Sequence, residues 1–151
     1  MKIDSTVEPL VREAFAASVA AEPERFTAAL GAISERGDAV ASSALELALA
    51  VNRVALLSVH SGQVPDDQQL DYLAGGLADD AQDWAPSVTT ESARAFLEAV
   101  AKGSPNTLNT GDLIELAFGT GGWLLSSFEV EMTWTQFLDQ ILDTLESAPR
   151  Q

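Results

Sequence analysis

Apolar residues recur along most of this chain at the three-and-four spacing of an α-helix, and Pro, Gly and Asp divide the pattern into about seven segments. The first runs from about Pro9 to Ala21, with Leu10, Val11, Ala14, Phe15 and Val19 on one face. Pro9 suits its first turn, where a missing N–H is no loss. Pro23 starts the second, in which Phe26, Ala29, Leu30 and Ile33 fall at i, i+3, i+4 and i+7 towards Arg36. Gly37 ends it, because glycine accepts the left-handed conformation that closes a helix, and Asp38 stands where it can cap the next. The third segment, about Asp38 to Ser61, is apolar on almost every face between Ala44 and Val59, the pattern of a helix enclosed by others.

A fourth segment opens at Asp66, where Asp66 and Gln69 have capping-box spacing, and carries Leu70, Leu73 and Leu77 towards Trp84 before Pro86 closes it. The fifth, about Thr90 to Lys102, uses Ala93, Phe96, Leu97 and Val100. The turn-forming cluster Gly103-Ser104-Pro105-Asn106 separates it from a sixth that begins near Asn109. The seventh has the most complete signals: Thr133 and Gln136 form a capping box, Met132 and Phe137 a hydrophobic staple, and Trp134, Phe137, Leu138, Ile141, Leu142 and Leu145 a stripe. Phe128-Glu129-Val130-Glu131-Met132 instead alternates with the period of a strand. A lone strand is marginal, so it would need a partner such as Lys2 to Val7, a second copy of the chain or a bound protein; an extended linker is the simpler reading. The expected architecture is an all-α single domain over residues 1–151, six or seven helices around the apolar helix at 38–61, with at most one short extended segment near 128–132.

Composition narrows the function more than the fold. With 46% apolar residues in 151, the chain can bury a core despite a net charge of -15. Eight basic against 23 acidic side chains, only two of them Lys, argue against a phosphate-binding surface and hence against direct nucleic-acid binding. The absence of cysteine removes disulfides, zinc thiolates and thiol nucleophiles together. The start, MKIDSTVEPLVRE, has no basic region followed by an apolar run, so a cytoplasmic location is expected. The Ala44 to Val59 run is interrupted by Glu46, Asn52 and Arg53 and falls short of the roughly 20 residues of a bilayer span, so no membrane partner is expected.

No catalytic, cofactor or metal motif emerges. Gly119-Thr120-Gly121-Gly122 conflicts with helical propensity, at about 1 kcal/mol per glycine. It lacks the Lys and Ser/Thr of a phosphate loop and the spacing of a dinucleotide fingerprint, which leaves a helix break or a close helix approach; Gly75-Gly76 reads the same way. His60, the single histidine, falls at a helix C-terminus, where carbonyls and the dipole account for it. Glu46 and Arg53 lie seven residues apart on one face of the apolar helix, which must reach solvent there or hold a paired network.

Charge is unevenly spread. Residues 1–65 carry 8 acidic and 5 basic side chains, residues 66–151 carry 15 and 3, and no Lys or Arg occurs between Arg53 and Arg94. Asp66, Asp67, Asp71, Asp79, Asp80 and Asp83 lack the spacing of a calcium loop and, with Glu129 and Glu131, form the candidate acidic surface. Such a field recruits basic partners. The leading expectation is therefore a protein-binding module of the inhibitor, immunity or antitoxin kind, in bacterial style, docking onto a basic protein partner, with no enzyme activity indicated. A second expectation is a small-molecule-binding domain or enzyme with a pocket lined by Trp84, Trp123, Trp134 and Tyr72, with Arg53 as a polar candidate. A third is a self-assembling scaffold, a homodimer in which Phe128 to Met132 pairs with its copy across a two-fold axis.

Overall fold

In a computed structural model, which describes residues 2–85, 87–103, 110–127 and 132–147, the helical segments form close to where the periodicity places them. They are α1 (Glu8–Val19), α2 (Pro23–Glu35), α3 (Asp38–Val59), α4 (Asp67–Ala81), α5 (Thr90–Lys102), α6 (Thr110–Ser126) and α7 (Trp134–Ser147). Among the described residues there is no strand; the alternating stretch at 128–131 lies outside them.

Local chemistry accounts for most of the boundaries. Asp66 caps α4 by accepting from the Gln69 N–H at 2.8 Å while the Asp66 N–H donates to Gln69 Oε1 at 2.9 Å. Thr133 and Gln136 make the same reciprocal pair at the start of α7, at 3.0 and 3.2 Å, with Met132 and Phe137 both packed into the core. A capping box absent from the sequence expectation links Thr89 and Ser92 ahead of α5. Gly37 has a positive φ of 100° with an extended ψ of 170°, open to glycine but not the left-handed helical turn, and is itself the N-cap of α3; Asp38 makes no cap and instead lies in the first turn, where its charge favours the positive end of the helix dipole.

The bundle is built around two helices that pack on each other, α3 and α6, each of which also meets α1, α5 and α7. α3 supplies Ala44, Leu47, Ala48, Val51, Ala55 and Leu56 to the core. α6 is buried without interruption from Leu116 to Gly122. By length and composition α3 is the one described helix long and apolar enough to cross a membrane, yet in this bundle it packs against five other helices. Glu46 and Arg53, spaced along α3, face solvent, and the Arg53 guanidinium turns to donate to Val100 O on α5 at 3.0 Å.

The glycine cluster lies in an unbroken helix, so the helix-break reading gives way to close approach. A Cβ on Gly121 would fall 2.3 Å from the Phe15 ring, and one on Gly122 2.2 Å from Ser18 Oγ. The two helices are thus close enough for Ser18 Oγ to donate to Gly119 O at 3.2 Å and for Phe15 to pack on Phe118, ring centroids 5.0 Å apart. Asn52 ties the other side: its Nδ2 donates to Ala48 O in its own helix and to Ala117 O of α6, at 2.7 and 2.8 Å. In α4, a Cβ on Gly76 would lie 3.3 Å from the Trp123 ring, so that glycine makes room for an indole.

Candidate functional site

The acidic residues of α4 fall into two groups. At its N-terminal end Asp66 is spent on the cap, while Asp67 and Asp71 clasp Arg94 of α5: Arg94 Nη2 is 3.0 Å from Asp67 Oδ1 and Nε 2.7 Å from Asp71 Oδ1. Arg94 also reaches Glu98 at 3.2 Å, and Glu98 holds Lys102 at 2.6 Å. Hydrogen bonding to Asp71, opposed by desolvation and reinforced by Asp67, keeps the Arg94 guanidinium above its ordinary pKa. The bond from Lys102 holds the Glu98 carboxyl below the usual glutamate value. This end of α4 is a neutralised joint between two helices.

The other end is not neutralised. Asp79 and Asp80 lie in the last turn of α4 and Asp83 two residues beyond it, all exposed, and none pairs with a cation among the described residues. Carboxylates there oppose the helix dipole, whose C-terminal end already carries about half a negative charge. Asp80 accepts from the Trp123 indole, whose Nε1–H donates to Oδ2 at 2.7 Å. Glu129 and Glu131, assigned to the same surface from sequence, lie outside the described residues.

Beside Asp80 is a cleft of about 170 Å³. Trp84 and Trp123 line it together with Asp80, Ser18, Ala21 and Ser126. Trp84 is held edge-on by Phe26, ring centroids 5.1 Å apart, and both indoles remain partly exposed. Of the other aromatic and polar candidates, Tyr72 projects from α4 at 80% exposure, Trp134 is half-buried at the start of α7, and Arg53 belongs to the α3–α5 contact; none lines this cleft. Ser18 and Ser126 carry no sequence motif, and only the packing brings them here.

Another depression has different chemistry. It measures about 290 Å³ and is lined by Lys2, Ile3, Asp4, Val7, Ser43, Glu46 and Leu47, with charges of both signs. His60 is the C-cap of α3, its Nδ1 2.8 Å from Leu56 O, as its place at a helix end implies. Among the described residues no three His, Asp or Glu side chains are grouped to hold a metal ion. Comparison with protein-family models, with curated proteins and with solved structures finds no match to this chain.

Proposed function

We propose that this protein is a binding module whose acidic face, centred on the C-terminal end of α4, docks onto a basic protein, in the manner of an inhibitor, immunity protein or antitoxin. The observation that carries this reading is the group Asp79, Asp80 and Asp83, without a cation partner among the described residues, at the end of a helix that would favour cations. The neighbouring carboxylates Asp67 and Asp71 have found Arg94, so a cluster that starts at Asp79, twelve residues on from Asp67, and meets no cation among the described residues is a local choice and not only a consequence of composition. A partner that supplies Lys or Arg relieves the mutual repulsion on binding and is steered in by the field of the net charge of -15.

The test uses the tagged protein and its Asp79→Asn/Asp83→Asn variant side by side. Each retains polypeptides from the native lysate at about 0.05 M salt and is eluted at about 0.5 M, a range over which the Debye length shortens severalfold. The expected result is a basic polypeptide released near stoichiometry from the parent and depleted on the variant, with the purified pair binding more weakly as salt rises. An empty eluate, or a partner held equally by both proteins and indifferent to salt, overturns the reading.

A further inference from the structure

We infer that the cleft between α1, α4 and α6 is a receptor for one arginine side chain of the docking partner; this rests on the reading above and deepens it. Three features of the cleft point to a planar cation. The first is the backbone field. Its walls are the C-terminal ends of three helices: Ser18 and Val19 close α1, Asp80 and Ala81 close α4, and Trp123 and Ser126 belong to the last turn of α6. Each end carries partial negative charge, and none of the three has a basic residue in its last turn. Three other helices place a cation-capable residue at this end, Arg36 and His60 as the C-caps of α2 and α3 and Lys102 in the last turn of α5, while α7 has no basic residue in its last turn.

The second feature is the hydrogen-bonding character of the lining. Ser18 Oγ spends its hydrogen on Gly119 O, and Ser126 Oγ spends its own on Gly122 O at 2.7 Å. Both hydroxyl oxygens are left with lone pairs only. The Trp123 N–H is given to Asp80 Oδ2, which leaves Oδ1 to accept. These side chains therefore offer acceptors, and the guanidinium, with five donors and no acceptor, is the side chain that matches them.

The third is shape and size. Two indoles flank the carboxylate, and a guanidinium stacks on aromatic rings while pairing with a carboxylate, being more weakly hydrated than an ammonium. A volume of about 170 Å³ is several times that of a water molecule but below the roughly 300–1,000 Å³ of sites that enclose a drug-sized ligand. It suits the head of one side chain presented by a larger molecule.

With only three tryptophans in the chain, their indole N–H signals in a nitrogen-15 correlation spectrum report the site directly. The probe is a blocked Gly-Arg-Gly peptide, with the citrulline analogue, which keeps the shape and loses the charge, as control. Saturable shifts of Trp84 and Trp123 with Trp134 unmoved, absent for citrulline and weakened roughly tenfold in Asp80→Asn, are expected. Trp84→Phe, which keeps a ring against Phe26, should weaken binding less than Asp80→Asn, by a fewfold. No saturable shift, equal response to citrulline, or equal movement of Trp134 overturns the inference. Because this probe is independent of the lysate, the two ideas fail separately: silent indoles with salt-sensitive, Asp79- and Asp83-dependent capture remove the arginine site and leave the docking face.

Discussion

Gly121 and Gly122 set how closely α1 and α6 approach, and their neighbours show that the same residue type in the same helix has opposite consequences a turn apart. A Cβ at Gly122 would meet Ser18 Oγ at 2.2 Å and, behind it, the Val19 backbone nitrogen at 3.3 Å, so rotating the serine away does not free the space. At Gly121 the obstacle is the buried Phe15 ring with Asn52 Nδ2 at 3.2 Å. Gly119 and, in α2, Gly31 have nothing within 4 Å of such a Cβ. Helix propensity alone favours Ala over Gly by about 1 kcal/mol, whereas overpacking costs about 1–3 kcal/mol. Denaturant titration should therefore find Gly31→Ala and Gly119→Ala stabilised by up to about 1 kcal/mol, and Gly121→Ala and Gly122→Ala destabilised by about 1–3 kcal/mol. Four variants moving in one direction would mean that close approach is not what holds these glycines. The sequence showed the conflict between glycine and helix at 119–122 but not which glycines were needed, since that depends on Phe15 and Ser18, a hundred residues away.

At the scale of elements, helix existence was legible because the 3.6-residue period and the capping boxes at Asp66 and Thr133 are local signals. Pairing was not, because an apolar stripe says which face is buried and not which helix covers it. Thus Trp84 and Trp123 were recognisable as aromatic candidates, but the meeting of the C-terminal ends of α1, α4 and α6 rests on long-range fits such as the glycine contact, the Gly76–Trp123 fit and the Trp123–Asp80 bond. Arg94 is a similar case: it lies 23 residues from Asp71 and joins α4 to α5. The Lys102–Glu98 pair extends that joint, and its dependence on pH has a definite sign. Glu98 has its folded pKa lowered, so its contribution is present above the unfolded glutamate value and is lost as pH falls through the lower, folded value. Lys102 has its folded pKa raised by the same bond, so its contribution persists until pH approaches the lysine range. A Lys102→Met variant should accordingly melt below the parent at about pH 7, with the gap closing as pH falls below the ordinary glutamate range. A gap that persists at pH 3 would assign the effect of Lys102 to packing of its methylenes and not to the ion pair.

For the molecule as a whole, the same charge acts on folding and on binding with opposite signs. Twenty-three acidic residues against eight basic ones repel one another more in the folded state, where they are closer, than in the unfolded chain. The ion pairs at Arg12, Arg25, Arg94 and Lys102 offset only part of this, and exposed pairs of that kind contribute little each. Added salt screens both, but repulsion has the longer reach and the larger number of members, so screening should favour the fold. Raising ionic strength from about 0.01 M to 0.1 M cuts the Debye length from about 30 to 10 Å, and an electrostatic gain of about 1 kcal/mol would raise Tm by about 2–4 °C in a chain of this size. The complex with a basic partner should weaken over the same range, because there the screened interaction is attractive. Thermal unfolding followed by circular dichroism at the two salt concentrations tests the first half. A Tm that falls with salt would mean that the few ion pairs outweigh the many unpaired carboxylates, and the acidic surface would then be an ordinary solvated one, with no stored repulsion for a partner to relieve.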